Sequence, residues 1–217
     1  MPKYHDVAQG EYMAMIARNY GFTDYATIWN HGNNAELKKK RKNPQILKPG
    51  DRVFIPDREE KQESRSTEKK HRFQAKRPKL KLNLVLEDLY EEPIKDAKCE
   101  LQIDGAAFEL KTDGKGKIEQ EIPVTAGGGH LVVWEPDVSA VSGVQIPVKI
   151  GHLDPIDEVT GQKGRLNNLG YYAGEINDQQ DMRFKSAVEE FQCDYKLTVD
   201  GECGSKTQAK LKEVHGC

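Results

Sequence analysis

Apolar periodicity changes twice along this 217-residue chain, and that constrains its fold more than any other feature. Near the N-terminus Tyr12, Met13, Ile16, Ala17 and Tyr20 recur at three- and four-residue steps, the stripe of a half-buried helix. From Leu80 the step becomes two. Leu80, Leu82, Leu84 and Leu86 alternate with Lys81, Asn83 and Val85, as along a strand with one buried face. Toward the C-terminus Phe184, Ala187, Val188 and Phe191 return to helical spacing. One layer of secondary structure cannot bury all three patterns, so the expected fold is multidomain α+β with compact units at 1–57, 80–151 and 152–217. The stretch 58–79 is dominated by Lys, Arg and Glu. It lacks the apolar surface to offset its ordering entropy and reads as a charged linker.

In the first unit a strand ending at Val7 precedes the stripe, and Gly21 supplies a left-handed stop. Thr23 or Asp24 can cap a second helix presenting Tyr25, Ile28 and Trp29, and a basic helix is expected from Ala35 to Lys40. Pro49-Gly50 then turns into a closing strand, Val53 to Ile55, ended by Pro56. The run Asn43-Pro44-Gln45-Ile46-Leu47-Lys48-Pro49-Gly50-Asp51-Arg52-Val53-Phe54-Ile55-Pro56, with Ile16-Ala17, Tyr20-Gly21 and Ile28-Trp29-Asn30, resembles lysin-motif (LysM) domains. That resemblance implies a small βααβ fold binding N-acetylglucosamine-containing glycan between two loops. The glycan-binding candidates are Gly10, Glu11, Tyr12 and Met13 in the first, and Asn43, Pro44, Gln45, Ile46 and Leu47 in the second. Gly10-Glu11-Tyr12 departs from the family's Gly-Asp-Thr, and Trp29 is expected in the core.

In the middle unit further strands are expected at Lys98 to Ile103, Ala107 to Lys111, Lys117 to Ile122, His130 to Trp134 and Val144 to Ile150, separated by turns such as Asp113-Gly114-Lys115-Gly116. This reads as an all-β sandwich. The Glu91-Glu92-Pro93-Ile94 run and Thr112 to Ile118 resemble immunoglobulin-like or transthyretin-like modules. The hairpin glycines are explained by the turn alone, and Asp113 has too few oxygens around it for calcium.

In the last unit Asp157 is expected to cap a helix ending at Leu169-Gly170, weakened by Gly161 and Gly164 at up to about 1 kcal/mol each. Gly204 or Ser205 opens a final helix with Thr207, Leu211 and Val214 inward. Leu169-Gly170-Tyr171-Tyr172, Ala187-Val188-x-x-Phe191-Gln192 and Val199-Asp200-Gly201-x-x-Gly204-x-x-Thr207 together resemble a three-helix peptidoglycan-binding domain. The resemblance makes Tyr171, Tyr172, Asp200 and Thr207 the peptidoglycan-binding candidates, with at least one tyrosine in the core. Asn177-Asp178 stands where that family has Asp-Gly, Asp181 replaces a glycine and Phe184 a threonine.

The formal charge of −2 and sparse aromatics beside the basic end of the linker argue against nucleic acid, and no apolar run is long enough for a membrane span. Neither a metal nor a cofactor is expected. The four cysteines Cys99, Cys193, Cys203 and Cys217 lack C-x-x-C spacing; a Cys193–Cys203 bridge and free thiols both fit. Val214-His215-Gly216-Cys217 resembles the nucleophile motif of L,D-transpeptidases, but no β catalytic domain surrounds it, so no enzyme activity is expected. Met1-Pro2-Lys3 leads straight into the first strand without a signal-peptide core. The expected location is cytoplasmic as made, with delivery to the periplasm or exterior by a secretion apparatus.

The expectation is a non-catalytic peptidoglycan-binding protein whose two ends grip one polymer. Thr27 to Leu37 and Leu153-Asp154-Pro155 are similar to proteins of type VI secretion and related contractile injection systems. The alternative is an adaptor that binds a spike, tail or effector protein through folds that no longer bind glycan, and the altered loops favour it.

Overall fold

The computed structural model describes residues 3–58, 64–72, 79–88, 90, 92–134 and 143–217. Much of the expected linker, at 59–63 and 73–78, and Glu91 of the 91–94 run lie outside the described residues.

In the N-terminal unit β1 (Lys3–Asp6) pairs antiparallel with β2 (Arg52–Ile55), bracketing α1 (Met13–Asn19), α2 (Ala26–Trp29) and α3 (Ala35–Arg41). The stripe behaves as expected: Met13, Ile16 and Ala17 join Ile28, Trp29, Val53 and Ile55 in one core. Gly21, at φ 79°, ends α1, with its N–H donating to Arg18 and the Phe22 N–H to Ala17. The start of α2 is a correction: Tyr25, not Thr23 or Asp24, is the capping residue, without a side-chain cap bond, and Asp24 supports the turn before it by accepting from Ala26 N–H at 2.8 Å. Two buried polar devices then fix the closing strand. The Asn34 amide donates to the Ile28 and Phe54 carbonyls and accepts from Phe54 N–H, each at 2.8 Å. Arg41 grips Asp51 through Nε at 2.6 Å and Nη2 at 2.9 Å.

In the middle unit β3 (Lys79–Val85) pairs with β6 (Lys117–Pro123), and the second sheet runs β5 (Ala106–Lys111), β4 (Lys98–Ile103), β7 (Gly128–Trp134), β8 (Val144–Lys149), all antiparallel. Leu80, Leu82 and Leu84 of β3 and Ile118 and Ile122 of β6 face Cys99, Leu101, Ile103, Leu131 and Val133 across one core. The alternation in β3 is thus the inner face of the smaller sheet. The 112–116 turn is not the expected hairpin, because β5 and β6 lie in different sheets; Asp113 closes this crossing turn by accepting from Lys115 and Lys117 N–H at 2.8 and 2.9 Å, a role that occupies its carboxylate.

The C-terminal unit comprises α4 (Val159–Asn168), α5 (Met182–Asp194) and α6 (Ser205–His215). Leu166, Phe184, Ala187, Val188, Phe191 and Leu211 form its core. The start of α4 is a correction: Glu158, not Asp157, is the capping residue, and its side chain makes no cap bond. It turns instead to Lys48 of the first unit, Oε2 to Nζ 2.6 Å. Gly161 of α4 has a packing reason. A Cβ on Gly161 would lie 2.0 Å from the Pro155 carbonyl oxygen, so the 154–155 segment can cross the helix only over glycine.

The units also touch one another. Tyr12, Ala14 and Val124 form a further buried cluster with Leu80 and Ile150 packed against it, joining α1 to the sandwich. The Tyr12 hydroxyl donates to the Ala126 carbonyl at 3.0 Å.

Candidate functional site

The first candidate loop is engaged inside the molecule. Glu11 accepts from Ala8 N–H at 2.9 Å and meets His5 Nε2 at 2.7 Å. Tyr12 is 2 % exposed, and burial, with Asp104 adding to it, pushes its phenol up to about 12. Gly10 lies under His152, and a Cβ on Gly151 would come within 2.3 Å of the Gly10 carbonyl oxygen, so the chain leaving the sandwich covers this loop. Met13 is fully buried and donates its N–H to Pro44 at 3.0 Å, which ties the first loop directly to the second. Gln45 Oε1 accepts from Ala14 N–H at 3.4 Å. Ile46 and Leu47 are buried, whereas Asn43, Pro44 and Gln45 are half-buried. The structure therefore brings the nine residues together, with the apolar ones turned inward.

In the C-terminal unit the candidates divide. Tyr171 packs edge-on against Phe191, with centroids 5.5 Å apart, and its hydroxyl donates to Asp194 at 2.8 Å. Tyr172 is 67 % exposed, with the Arg183 guanidinium 5.7 Å from its ring centroid. Ile176 and Met182 nearby in sequence are also exposed. Arg183 was not legible as a partner of Tyr172, because a bend through 173–181 separates them. Asp200 and Thr207 belong to a different assembly, centred on the buried Gln192. Its Nε2 donates to Asp200 at 2.8 Å, to the Glu202 carbonyl at 3.0 Å and to Thr207 at 3.0 Å; its Oε1 accepts from Asp200 and Gly201 N–H at 3.0 Å each. Thr207 is 4 % exposed, so it faces this hub rather than solvent.

The residues that depart from the family pattern have structural work. Asp181 accepts from Phe184 N–H at 3.0 Å and caps α5, and Phe184 fills the core. Asn177 Oδ1 accepts at 2.8 Å from Lys163, a fully buried lysine on α4 that also donates to the Glu175 carbonyl at 3.3 Å. The asparagine at 177 thus supplies an acceptor for that lysine.

His215 Nδ1 lies 3.1 Å from Cys217 Sγ, and His215 Nε2 lies 3.0 Å from Asn168 Nδ2. The electrostatics oppose a thiolate. Burial and Arg165 lower the imidazole to about 4, while burial pushes the Cys217 thiol up, so the pair rests as neutral thiol and neutral imidazole. All four cysteines are free. Among the described residues no three His, Cys, Asp or Glu side chains group as a metal site, and no helix is long and apolar enough to cross a membrane.

A family model described as a peptidoglycan binding domain matches residues 157–211, which covers α4, α5 and most of α6. Comparison with curated proteins and with solved structures gives no match.

Proposed function

We propose that this chain is a non-catalytic peptidoglycan-binding protein that engages the wall through its C-terminal unit. The observation that carries this reading is that the segment similar to a peptidoglycan binding domain leaves Tyr172 exposed beside Arg183. An aromatic face offers a stacking platform for a sugar ring, and the guanidinium offers donors to its hydroxyls and to peptide carbonyls. The neutral Cys217–His215 pair supports the absence of catalysis, since a nucleophile needs the thiolate. The resemblance of 27–37 and 153–155 to proteins of contractile injection systems supports delivery across the envelope by such an apparatus.

The test is co-sedimentation with insoluble peptidoglycan. Full-length protein is expected in the pellet, and the variant Tyr172→Ala, Arg183→Ala is expected to bind about tenfold more weakly, the equivalent of roughly 1.4 kcal/mol. Released muropeptides in the supernatant would overturn the non-catalytic reading, and absence of the protein from the pellet would overturn wall binding.

For the N-terminal unit a second reading has its own support. The Gly10 to Met13 loop is occupied by the sandwich and by 151–152, which favours a LysM-like fold serving as an adaptor toward a spike, tail or effector protein. On that reading, glycan binding by the full chain is insensitive to substitution of Gln45.

A further inference from the structure

Between α3 with its following loop and helices α4 and α6 lies a cleft of about 380 Å³. One wall carries Arg41, Lys42 and Asn43; the other carries Gln208 and Lys212 of α6. The apolar Ile46 also reaches it, so the second candidate loop and the C-terminal unit share one concavity. Arg41 is the notable group. Its side chain is 1 % exposed and Asp51 holds one edge of the guanidinium, yet Nη1 is buried without a hydrogen-bond partner. Glu158 Oε1 makes a loose ion pair with Nη1 at 4.0 Å, beyond hydrogen-bond distance, while its Oε2 pairs with Lys48 at 2.6 Å. A buried guanidinium N–H with no acceptor is costly, and an oxygen anion entering the cleft would satisfy it. Lys42 and Lys212 are exposed on the lining; the acidic groups facing them are Asp157 on the lining and Glu158 beside Arg41 Nη1. Arg165 lines the cleft too, with its Nε donating to the Cys217 carbonyl and its Nη1 to the Asp154 and Gly161 carbonyls.

We infer that this cleft binds a carboxylate of a peptidoglycan stem peptide, clamped between Arg41 Nη1 and the ammonium groups of Lys42 and Lys212. This rests on the wall-binding reading. A guanidinium edge suits a planar carboxylate; with Asn43 Oδ1 taken by the Gln45 N–H and Gln208 Nε2 by the Cys203 carbonyl, Asn43 Nδ2 and Gln208 Oε1 are the donor and acceptor left for a neighbouring peptide bond. The volume falls in the range of pockets that take short segments of this kind. A ligand seated there touches both end units at once, so the two modules act as the halves of one site.

The experiment uses the full chain and two soluble probes, an N-acetylmuramoyl tripeptide with free carboxylates and the same compound with every carboxylate amidated. Calorimetry is expected to show binding of the acid form that weakens as salt rises, with the amidated form at least about tenfold weaker. The variant Lys42→Ala, Lys212→Ala changes two exposed side chains and is expected to lower affinity for the acid form about tenfold. Equal binding of both probes, indifference to the double variant, or no binding of the acid form overturns the inference. If the acid form fails to bind while the protein still co-sediments with peptidoglycan, the cleft inference fails alone. If the acid form binds in the cleft and co-sedimentation is absent, the cleft stands and the wall reading fails.

Discussion

His215 shows how one buried side chain sets a pH dependence. Its folded value, about 4, lies below the ordinary 6.5 because burial, followed by Arg165, disfavours the imidazolium. As pH falls from 6.5 toward 4 the unfolded chain takes up a proton that the folded chain refuses, so stability declines across that window and is unaffected above it. Denaturant titrations at the two ends of the window are expected to differ, and His215→Gln is expected to shrink the difference. Asp51 acts lower. Burial would raise it, but the Arg41 and Lys48 hydrogen bonds outweigh burial and leave it below 3.8. Its contribution is therefore present above 3.8 and is lost as pH falls through the lowered folded value. Neither group was legible beforehand. Asp51 reads in sequence as part of a Pro-Gly-Asp turn, and only the return of α3 brings Arg41 against it.

At the scale of elements, α4 separates propensity from packing. Both Gly161 and Gly164 cost helix stability in isolation, yet their surroundings differ. A Cβ at Gly161 would strike the Pro155 and Asp154 carbonyl oxygens at 2.0 and 2.5 Å, which are backbone atoms that cannot step aside. At Gly164 the nearest contact is Leu153 Cδ1 at 3.2 Å, the end of a flexible side chain. Gly161→Ala is expected to destabilise by about 2 kcal/mol despite its better helix propensity, because overpacking outweighs it. Gly164→Ala is expected to be close to neutral; urea unfolding of the pair checks both. The strands were far more legible than this helix. Alternation located β3, and strand pattern between turn residues located β4 and β6, to within a residue.

For the whole molecule the decisive residue is Tyr12. In the chain it reads both as the start of a buried helical stripe and as a loop residue of a glycan groove; in the structure it is the plug between α1 and the sandwich. Tyr12→Ala is expected to cost about 3–5 kcal/mol, as for other large buried aromatics, and to separate the unfolding of the N-terminal unit from that of the sandwich in calorimetry. A single unchanged transition would show that the two units are not coupled through this side chain. The Lys48–Glu158 ion pair and the shared cleft join the two end units in the same way, through contacts between residues more than a hundred positions apart.

Hydrophobic period and turn residues determined the order of helices and strands and the inward faces of α1, β3 and α5, because each depends on neighbours a few positions away. Local sequence also carried the likeness of 157–211 to a peptidoglycan binding domain. Tertiary structure decided which candidates face solvent. Tyr172 stays out, whereas Tyr12, Met13 and Thr207, whose inward faces periodicity had given, acquire in the fold the partners that hold them there: the Ala126 carbonyl, the Pro44 carbonyl and Gln192. The physical reason is that exposure at a loop depends on what else packs over it, and here the covering segments come from elsewhere in the chain.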